Sequence, residues 1–289
     1  MVINLFQKGF NYSQDGPGNR LVYHLQGCNM KCPWCSNPEG MTVTPPLMAT
    51  GNTIPTYVCT HGAVVDGRLH RERCIGCDTH ECVIINKNTF LVCKNKAYDI
   101  DVLLEEILSC RPLFFDHGGV TLTGGEATMQ FDAVKQLLLL LKANSVHTAI
   151  ETNGTHPKLE ELLPYIDYLI MDFKHYDTKA HQLFTGVSNE EIKNNFKKVI
   201  NTEKIINIRI PLIHGVNADA EDIEGFISFF KPFPREKMTF EFLPYHEYGK
   251  DKWVQCGYIY AVNNGFVPKQ TVSHFTQQFK LNGLHVIHT

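Results

Sequence analysis

Three cysteines, Cys28, Cys32 and Cys35, stand within GCNMKCPWCSNPEG, residues 27–40. A structural zinc site takes four protein ligands, commonly as two close pairs far apart in the chain. Three thiolates this closely spaced instead suit a [4Fe–4S] cube, each cysteine holding one iron. The remaining iron has no protein ligand and can bind a substrate or cofactor directly, as a catalytic zinc keeps one position free. The triplet therefore reads as a reactive centre rather than a staple.

The rest of the composition agrees with metal chemistry. The chain has 289 residues, with 27 Lys+Arg against 30 Asp+Glu and a formal net charge of −3. That length suits one large α/β domain or a domain with an insertion. No basic footprint marks nucleic acid as a partner. No apolar run reaches transmembrane length, and MVINLFQKGFNYSQDGPG at the start lacks the anatomy of a signal peptide. These features predict a cytoplasmic chain with no membrane or nucleic-acid partner. Ten cysteines in a reducing compartment point to metal rather than disulfides, and eight of them lie between 28 and 93. Cys110 and Cys256 read as buried thiols.

Elements that must position the triplet follow from the hydrophobic pattern. Candidate strands are residues 20–27, 118–125, 147–154, 167–174, 204–213 and 237–245. Helical patterns separate or follow them at 101–110, 131–143, 156–165, 189–200, 219–230 and 271–283. Alternating strands and helices indicate a parallel sheet. Six units are too few for a closed eightfold barrel, so the fold class is α/β, an open partial (β/α)6 barrel with a small cysteine-rich insertion after the first strand. In such folds chemistry collects at the carboxyl ends of the strands. The cysteine triplet, GGE (124–126), ETNG (151–154), MDFK (171–174) and PYHEYGK (244–250) all fall at these ends. A turn, a helix cap or a solvated charge would explain any one of them alone, but not five on one rim.

With these residues in place, the sequence resembles the radical S-adenosylmethionine superfamily, whose pattern C-x3-C-x2-C is met by CNMKCPWC with Trp34 before the last cysteine. More closely, it is similar to the glycyl radical enzyme activating enzymes of the pyruvate formate-lyase activating enzyme type. DGPGNR (15–20), TLTGGEATMQ, YLIMDFK and LPYHEYGKDKW (243–253) carry the likeness in order. It covers residues 1–40 and 99–289, the expected barrel, and leaves 41–98 as a degenerate ferredoxin-like insertion. The resemblance implies that the open iron chelates S-adenosylmethionine. One electron then cleaves the sulfonium, and the resulting 5′-deoxyadenosyl radical takes a hydrogen from a backbone glycine of a partner glycyl radical enzyme. It further implies a monomer served by a low-potential electron donor such as flavodoxin or ferredoxin.

Position by position, the resemblance implies that Gly124, Gly125 and Glu126 hold the methionyl amino group. Asp172 and Lys174, two apart and so on one strand face, contact the ribose and carboxylate region; otherwise they are a strand-end ion pair. His246 and Asn37 frame the nucleoside. Arg209, a charge inside the apolar run INIRIPLI, needs a buried partner, which a bound carboxylate would supply. Glu151 falls at a monovalent-cation site where the type enzyme has Asp. Asp15, Gly16, Pro17, Gly18 and Arg20 form a loop that lines the groove for the partner's glycine; without a partner it is simply a turn.

The insertion holds Cys59, Cys74, Cys77, Cys82 and Cys93. A two-cluster ferredoxin repeats C-x2-C-x2-C-x3-C, each fourth cysteine serving the other cluster. Set against that spacing, the positions of one cluster are vacant (Ala49, Asn52, Pro55 and Ile84). The other retains Cys59, Cys74 and Cys77, with His80 at the altered position and Cys82 two residues on. One auxiliary [4Fe–4S] cluster on Cys59, Cys74, Cys77 and Cys82 is predicted, with His80 and Cys93 as alternates. A four-cysteine zinc site is the competing reading. A radical enzyme acting directly on a small molecule, and a non-enzymatic electron-transfer or zinc protein, are the alternatives to an activating enzyme.

Overall fold

In a computed structural model the described residues are 1–51, 53–74, 77, 81–84 and 90–288. One nine-stranded sheet organises the chain. Its strands are β1 Val2–Tyr12, β2 Asn19–Leu25, β3 Lys96–Asp99, β4 Gly119–Gly124, β5 Thr148–Thr152, β6 Tyr168–Asp172, β7 Ile206–Leu212, β8 Met238–Pro244 and β9 His285–Val286. Their order is β9-β8-β7-β6-β5-β4-β2-β1-β3. From β2 to β9 every neighbouring pair is parallel, whereas β1 runs antiparallel to both β2 and β3. The sheet is open, as the strand and helix periods predict.

All six predicted strands are present, with every end within two residues of the expected one. One correction concerns order. The predicted first strand is the second, because β1 precedes it. VINLFQKGFNY is apolar only in its first half, so it carries no sustained alternation. The insertion accordingly follows the second strand, and its expected end at residue 98 falls inside β3, which pairs with residues 2–5 of β1.

Helices cover the sheet: α1 Ile100–Ser109, α2 Phe131–Ala143, α3 Thr178–Thr185, α4 Glu190–Ile200, α5 Ala220–Phe230, α6 Lys250–Cys256 and α7 Lys269–Leu281. Their starts carry side-chain caps where the sequence supplies them. Asp99 accepts from Asp101 N at 2.9 Å, and Asp219 and Asp222 form a reciprocal capping box on α5. The pattern over 156–165 becomes a 3-10 helix at Leu159–Tyr165, because Pro164 cannot continue an α-helix. Residues such as Leu122, Ile150, Ile170, Ile208 and Phe240 are buried in the middle of the sheet, which explains why these strands read as apolar runs.

The insertion has a small apolar cluster of its own, Ile54, Val58, Val64, Cys82 and Leu91. Two short ribbons frame it, Met48–Ala49 with Leu91–Val92 and Val64–Val65 with Arg68–Leu69. No helix among the described residues is long and apolar enough to cross a membrane.

Candidate active site

A cavity of about 680 Å³ opens at the carboxyl ends of the parallel strands, and Cys28, Cys32 and Cys35 line it. That volume lies within the range of small-molecule sites, roughly 300–1,000 Å³. The cysteine loop leaves β2 and is pinned from several sides. Gly27 N donates to Gly40 O, Lys31 N to Thr185 O at the end of α3, and the Trp253 indole of α6 to Cys35 O at 2.8 Å. Backbone N–H groups of Met30 and Asn37 point at the Cys28 and Cys35 sulfurs at 3.4 Å. Burial pushes the Cys28 and Cys32 thiols up to about 12, and neighbouring thiols and, for Cys28, Glu126 add to the rise. Three thiols whose burial disfavours charge gain from a cationic metal, which binds them as thiolates. The donor set fits a cluster. Among the described residues no group of three or more His, Cys, Asp and Glu side chains is already arranged as a metal site.

Gly124, Gly125 and Glu126 follow β4 on the same wall. A side chain on Gly125 would lie 2.3 Å from Gly27 O and 2.4 Å from Gly40 O, and one on Gly124 would lie 2.1 Å from Leu25 N. The glycine pair is thus required by the packing of the cysteine loop on β4, a reason the sequence alone does not show. Glu126 is buried, and its oxygens already accept from Thr128 N, Thr128 Oγ1, Thr152 Oγ1 and Asn153 N at 2.5–2.9 Å. The carboxylate expected to meet an amino group is thus held in place by four protein donors at the cavity wall.

Asp172 and Lys174 form an ion pair at 2.8 Å on the cavity wall. Burial pulls the Lys174 ammonium down, but Asp172 and the thiols of Cys32 and Cys28 outweigh it and hold the group charged above its ordinary range. His246 lines the cavity and stacks on Tyr248 with ring centroids 4.2 Å apart. Asn37 lines it too and accepts from Lys252 Nζ at 2.9 Å.

Arg209 finds its buried partner in the protein itself. Its Nε donates to Glu241 Oε2 at 2.8 Å, its Nη1 to Glu151 Oε1 at 2.9 Å, and its Nη2 to Gln14 O. Glu241 is directly across from Arg209 in the β7/β8 register and was not anticipated. The sequence signal was available, since TFEFLP sets a lone charge in an apolar strand as INIRIPLI does. At Glu151, the expected cation position, Arg209 takes one oxygen and Thr123 Oγ1 donates to the other at 2.8 Å.

Asp15 reaches the cavity, with Asn11 Nδ2 donating to its carboxylate at 2.5 Å. Desolvation and the nearby Glu151 charge raise its carboxyl above the usual range. Gly16 and Gly18 are buried and Pro17 is partly so. Arg20 does not line the groove. It is 0% exposed and donates to Thr121 Oγ1 and Val120 O at 2.6 Å and to Pro17 O at 3.1 Å. Its length and five donors suit it to hold the loop against β4.

In the insertion Cys59, Cys74, Cys77 and Cys82 line one cavity of about 10 Å³. Burial raises the Cys74 and Cys82 thiols, with the neighbouring cysteines adding to the rise. Cys93 stands apart from this group, with burial the main cause of its own rise. His80 lies outside the described residues. Unanticipated contacts tie the insertion to the barrel. Arg71, three residues before Cys74, donates to Leu47 O at 2.5 Å and to Gln255 O of α6 at 2.7 Å. The buried Glu39 carboxylate meets Lys252 of α6 at 2.9 Å and Lys94 at 3.2 Å.

Comparison with known proteins places this geometry. A profile described as the Radical SAM superfamily matches residues 22–229. The chain is 31% identical to the 4-hydroxyphenylacetate decarboxylase activating enzyme of Clostridioides difficile strain CD196, over 93% of this chain and 90% of that one. It is 33% identical to the choline trimethylamine-lyase activating enzyme of Oleidesulfovibrio alaskensis, over 86% and 85%. A solved domain of a pyruvate-formate lyase-activating enzyme from Bacteroides vulgatus superposes with a TM-score of 0.50 at 28% identity, covering 59% of this chain and 98% of that one. The chain belongs to the glycyl radical enzyme activating enzymes of the radical SAM superfamily, enzymes whose cofactors are a [4Fe–4S] cluster and S-adenosylmethionine.

Proposed function

We propose that the chain installs a glycyl radical in a partner enzyme, with Cys28, Cys32 and Cys35 holding the reactive cluster. The single observation that carries this reading is the shared cavity, where the three thiols meet Gly124, Asp172, Lys174 and His246. Bound there, the cluster and S-adenosylmethionine supply reductive cleavage and hydrogen-atom abstraction; the protein supplies position and exclusion. The backbone edge at Gly124–Gly125 and the Asp172–Lys174 pair offer carbonyls and opposite charges to the amino acid and ribose portions. His246 and Asn37 flank the nucleoside. Arg209, neutralised by Glu151 and Glu241, braces the floor, and Asp15 faces the incoming glycine.

The same reading gives a cytoplasmic monomer reduced by flavodoxin or ferredoxin. It divides the chain into a barrel and an insertion that begins after residue 40 and ends before β3, whose strand belongs to the barrel sheet. Cys59, Cys74, Cys77 and Cys82 would carry one auxiliary [4Fe–4S] cluster. A zinc ion is a second reading, favoured by the cavity of about 10 Å³, room for about one water-sized sphere.

The test is anaerobic incubation of the reduced, metal-loaded chain with S-adenosylmethionine and the glycyl radical enzyme encoded nearest to it. A glycyl radical signal in electron paramagnetic resonance is expected. Cleavage of S-adenosylmethionine that yields no protein radical with any such partner, but turns over a small molecule, would sink the proposal.

A further inference from the structure

The sheet is only half closed at its β1 side. β3 pairs with residues 2–5 of β1 and stops where the register shifts between Leu5 and Gln7, while residues 7–12 pair with β2 alone. Among the described residues nothing pairs with the other edge of 7–12. Gln7, Lys8, Gly9, Phe10 and Tyr12 are exposed. An antiparallel strand turns alternate N–H and C=O groups to each side, so this edge presents unpaired donors and acceptors, the template for an added strand. A lysine often guards such an edge. Here Lys8 turns back onto Glu106 at 2.6 Å and over the Tyr98 ring at 4.7 Å.

This edge borders the reaction cavity. Gln7, Asn11 and Asp15 line it together with the three cysteines. Strand alternation puts Gly9 on the same face as Gln7 and Asn11, and a Cβ on Gly9 would meet nothing within 4 Å. The cavity face of the edge therefore has a gap at its middle. Its opposite face carries Phe10 and Tyr12, backed by Phe114 and Phe115 at centroid distances of 6.3 and 6.0 Å.

We infer that residues 7–12 of β1 are the docking edge for the glycine-bearing segment of the partner, which joins the sheet as an extended strand. The inference rests on the activating-enzyme reading above. Strand addition draws affinity from main-chain hydrogen bonds and specificity from alternate side chains. In the added strand the glycine faces the cavity beside the Gly9 gap. Its two neighbours fall on the Phe10 and Tyr12 face. The recognised segment is thus an extended one with a small residue between apolar residues.

The probe is a nine-residue peptide with a central glycine between two valines and lysines at its ends, its glycine deuterated at Cα. It is used with the full, metal-loaded chain. Peptide binding should slow amide exchange at alternate positions within residues 7–12. Two versions N-methylated on alternate backbone nitrogens should differ at least tenfold in affinity, because only one set faces β1. Gly9→Val, whose Cβ has open space in the chain, should weaken peptide binding at least tenfold and leave S-adenosylmethionine binding as in the parent. Deuterium transferred to 5′-deoxyadenosine without protection of 7–12 overturns the docking edge and leaves the activating-enzyme reading standing. Protection without deuterium transfer keeps the edge and counts against that reading. Equal affinity of the two methylated peptides, unchanged binding by Gly9→Val, or no binding at all also overturns the edge.

Discussion

The two cysteine centres differ most in the space around them. Cys28, Cys32 and Cys35 stand on the wall of a cavity of about 680 Å³ shared with charged and glycine-rich strand ends. Cys59, Cys74, Cys77 and Cys82 face one another across about 10 Å³, among Leu47, Leu69 and Leu91. On the proposed reading, three ligands beside a large cavity would leave a metal with room for a reactant, and four around a small one would leave none. The distinction matches that between open catalytic and closed structural metal sites. On the proposed reading, chemistry would fall to the barrel and support or electron supply to the insertion.

The largest effect belongs to the open centre. Cys32→Ala should reduce S-adenosylmethionine cleavage to background while the insertion keeps its metal, as read by product analysis and metal content. Cleavage at the parent rate would erase the difference between the centres. Next, Cys74→Ser with Cys77→Ser should strip the insertion. Iron then falls from about eight per chain to about four if the site holds a cluster, or zinc falls from about one to none. In either case the remaining cluster still binds S-adenosylmethionine. Twelve irons in the parent would restore the cluster counted as lost.

A smaller effect tests the barrel floor. Arg209→Met leaves Glu151 and Glu241 buried without their shared cation, and breaking a buried pair this way costs about 3–5 kcal/mol. Arg209→Lys keeps the charge but cannot reach Glu241, Glu151 and Gln14 together, so it should fall between parent and Arg209→Met. Denaturant unfolding measures both. Equal stability of parent and Arg209→Met would show that the floor does not depend on this network.

How far these features were legible in the sequence depended on whether their cause was local. The six parallel strands announced themselves as apolar runs because both faces are buried. The rim was legible because strand ends carry the polar residues. β1 was hidden, since half of it is an exposed edge with no period to detect. Partners set by register were hidden as well. A lone charge in each of two apolar strands hints at a buried pair, but only the register shows that Arg209 faces Glu241, and nothing local says that Arg20 turns inward to Thr121 and Val120 rather than out to a partner. Cys93 could be separated from the other insertion cysteines only once the chain had folded, because its distance in sequence from Cys82 resembles that of a distant ligand.

The smallest predicted effect concerns the joint between the two centres. Arg71 belongs to the turn Arg71–Cys74 that carries an insertion ligand, and its guanidinium bonds Gln255 O in α6. The same helix contributes Trp253 to Cys35 O and Lys252 to Asn37 and Glu39. A shift of α6 would therefore be felt at the reactive loop. Arg71→Met keeps the length of the side chain and removes its donors to Leu47 O and Gln255 O, each worth about 0.5–1.5 kcal/mol net and more where the donor is charged. The variant should unfold at slightly lower denaturant and exchange amides faster in α6, with the metal content of both centres unchanged. Its affinity for S-adenosylmethionine should fall only a few-fold, since 1.4 kcal/mol corresponds to about tenfold and only part of the loss reaches Cys35. If amide exchange in α6 and S-adenosylmethionine affinity both stay at parent values, the two centres are mechanically independent, and the insertion acts on the barrel through electrons or partner contact alone.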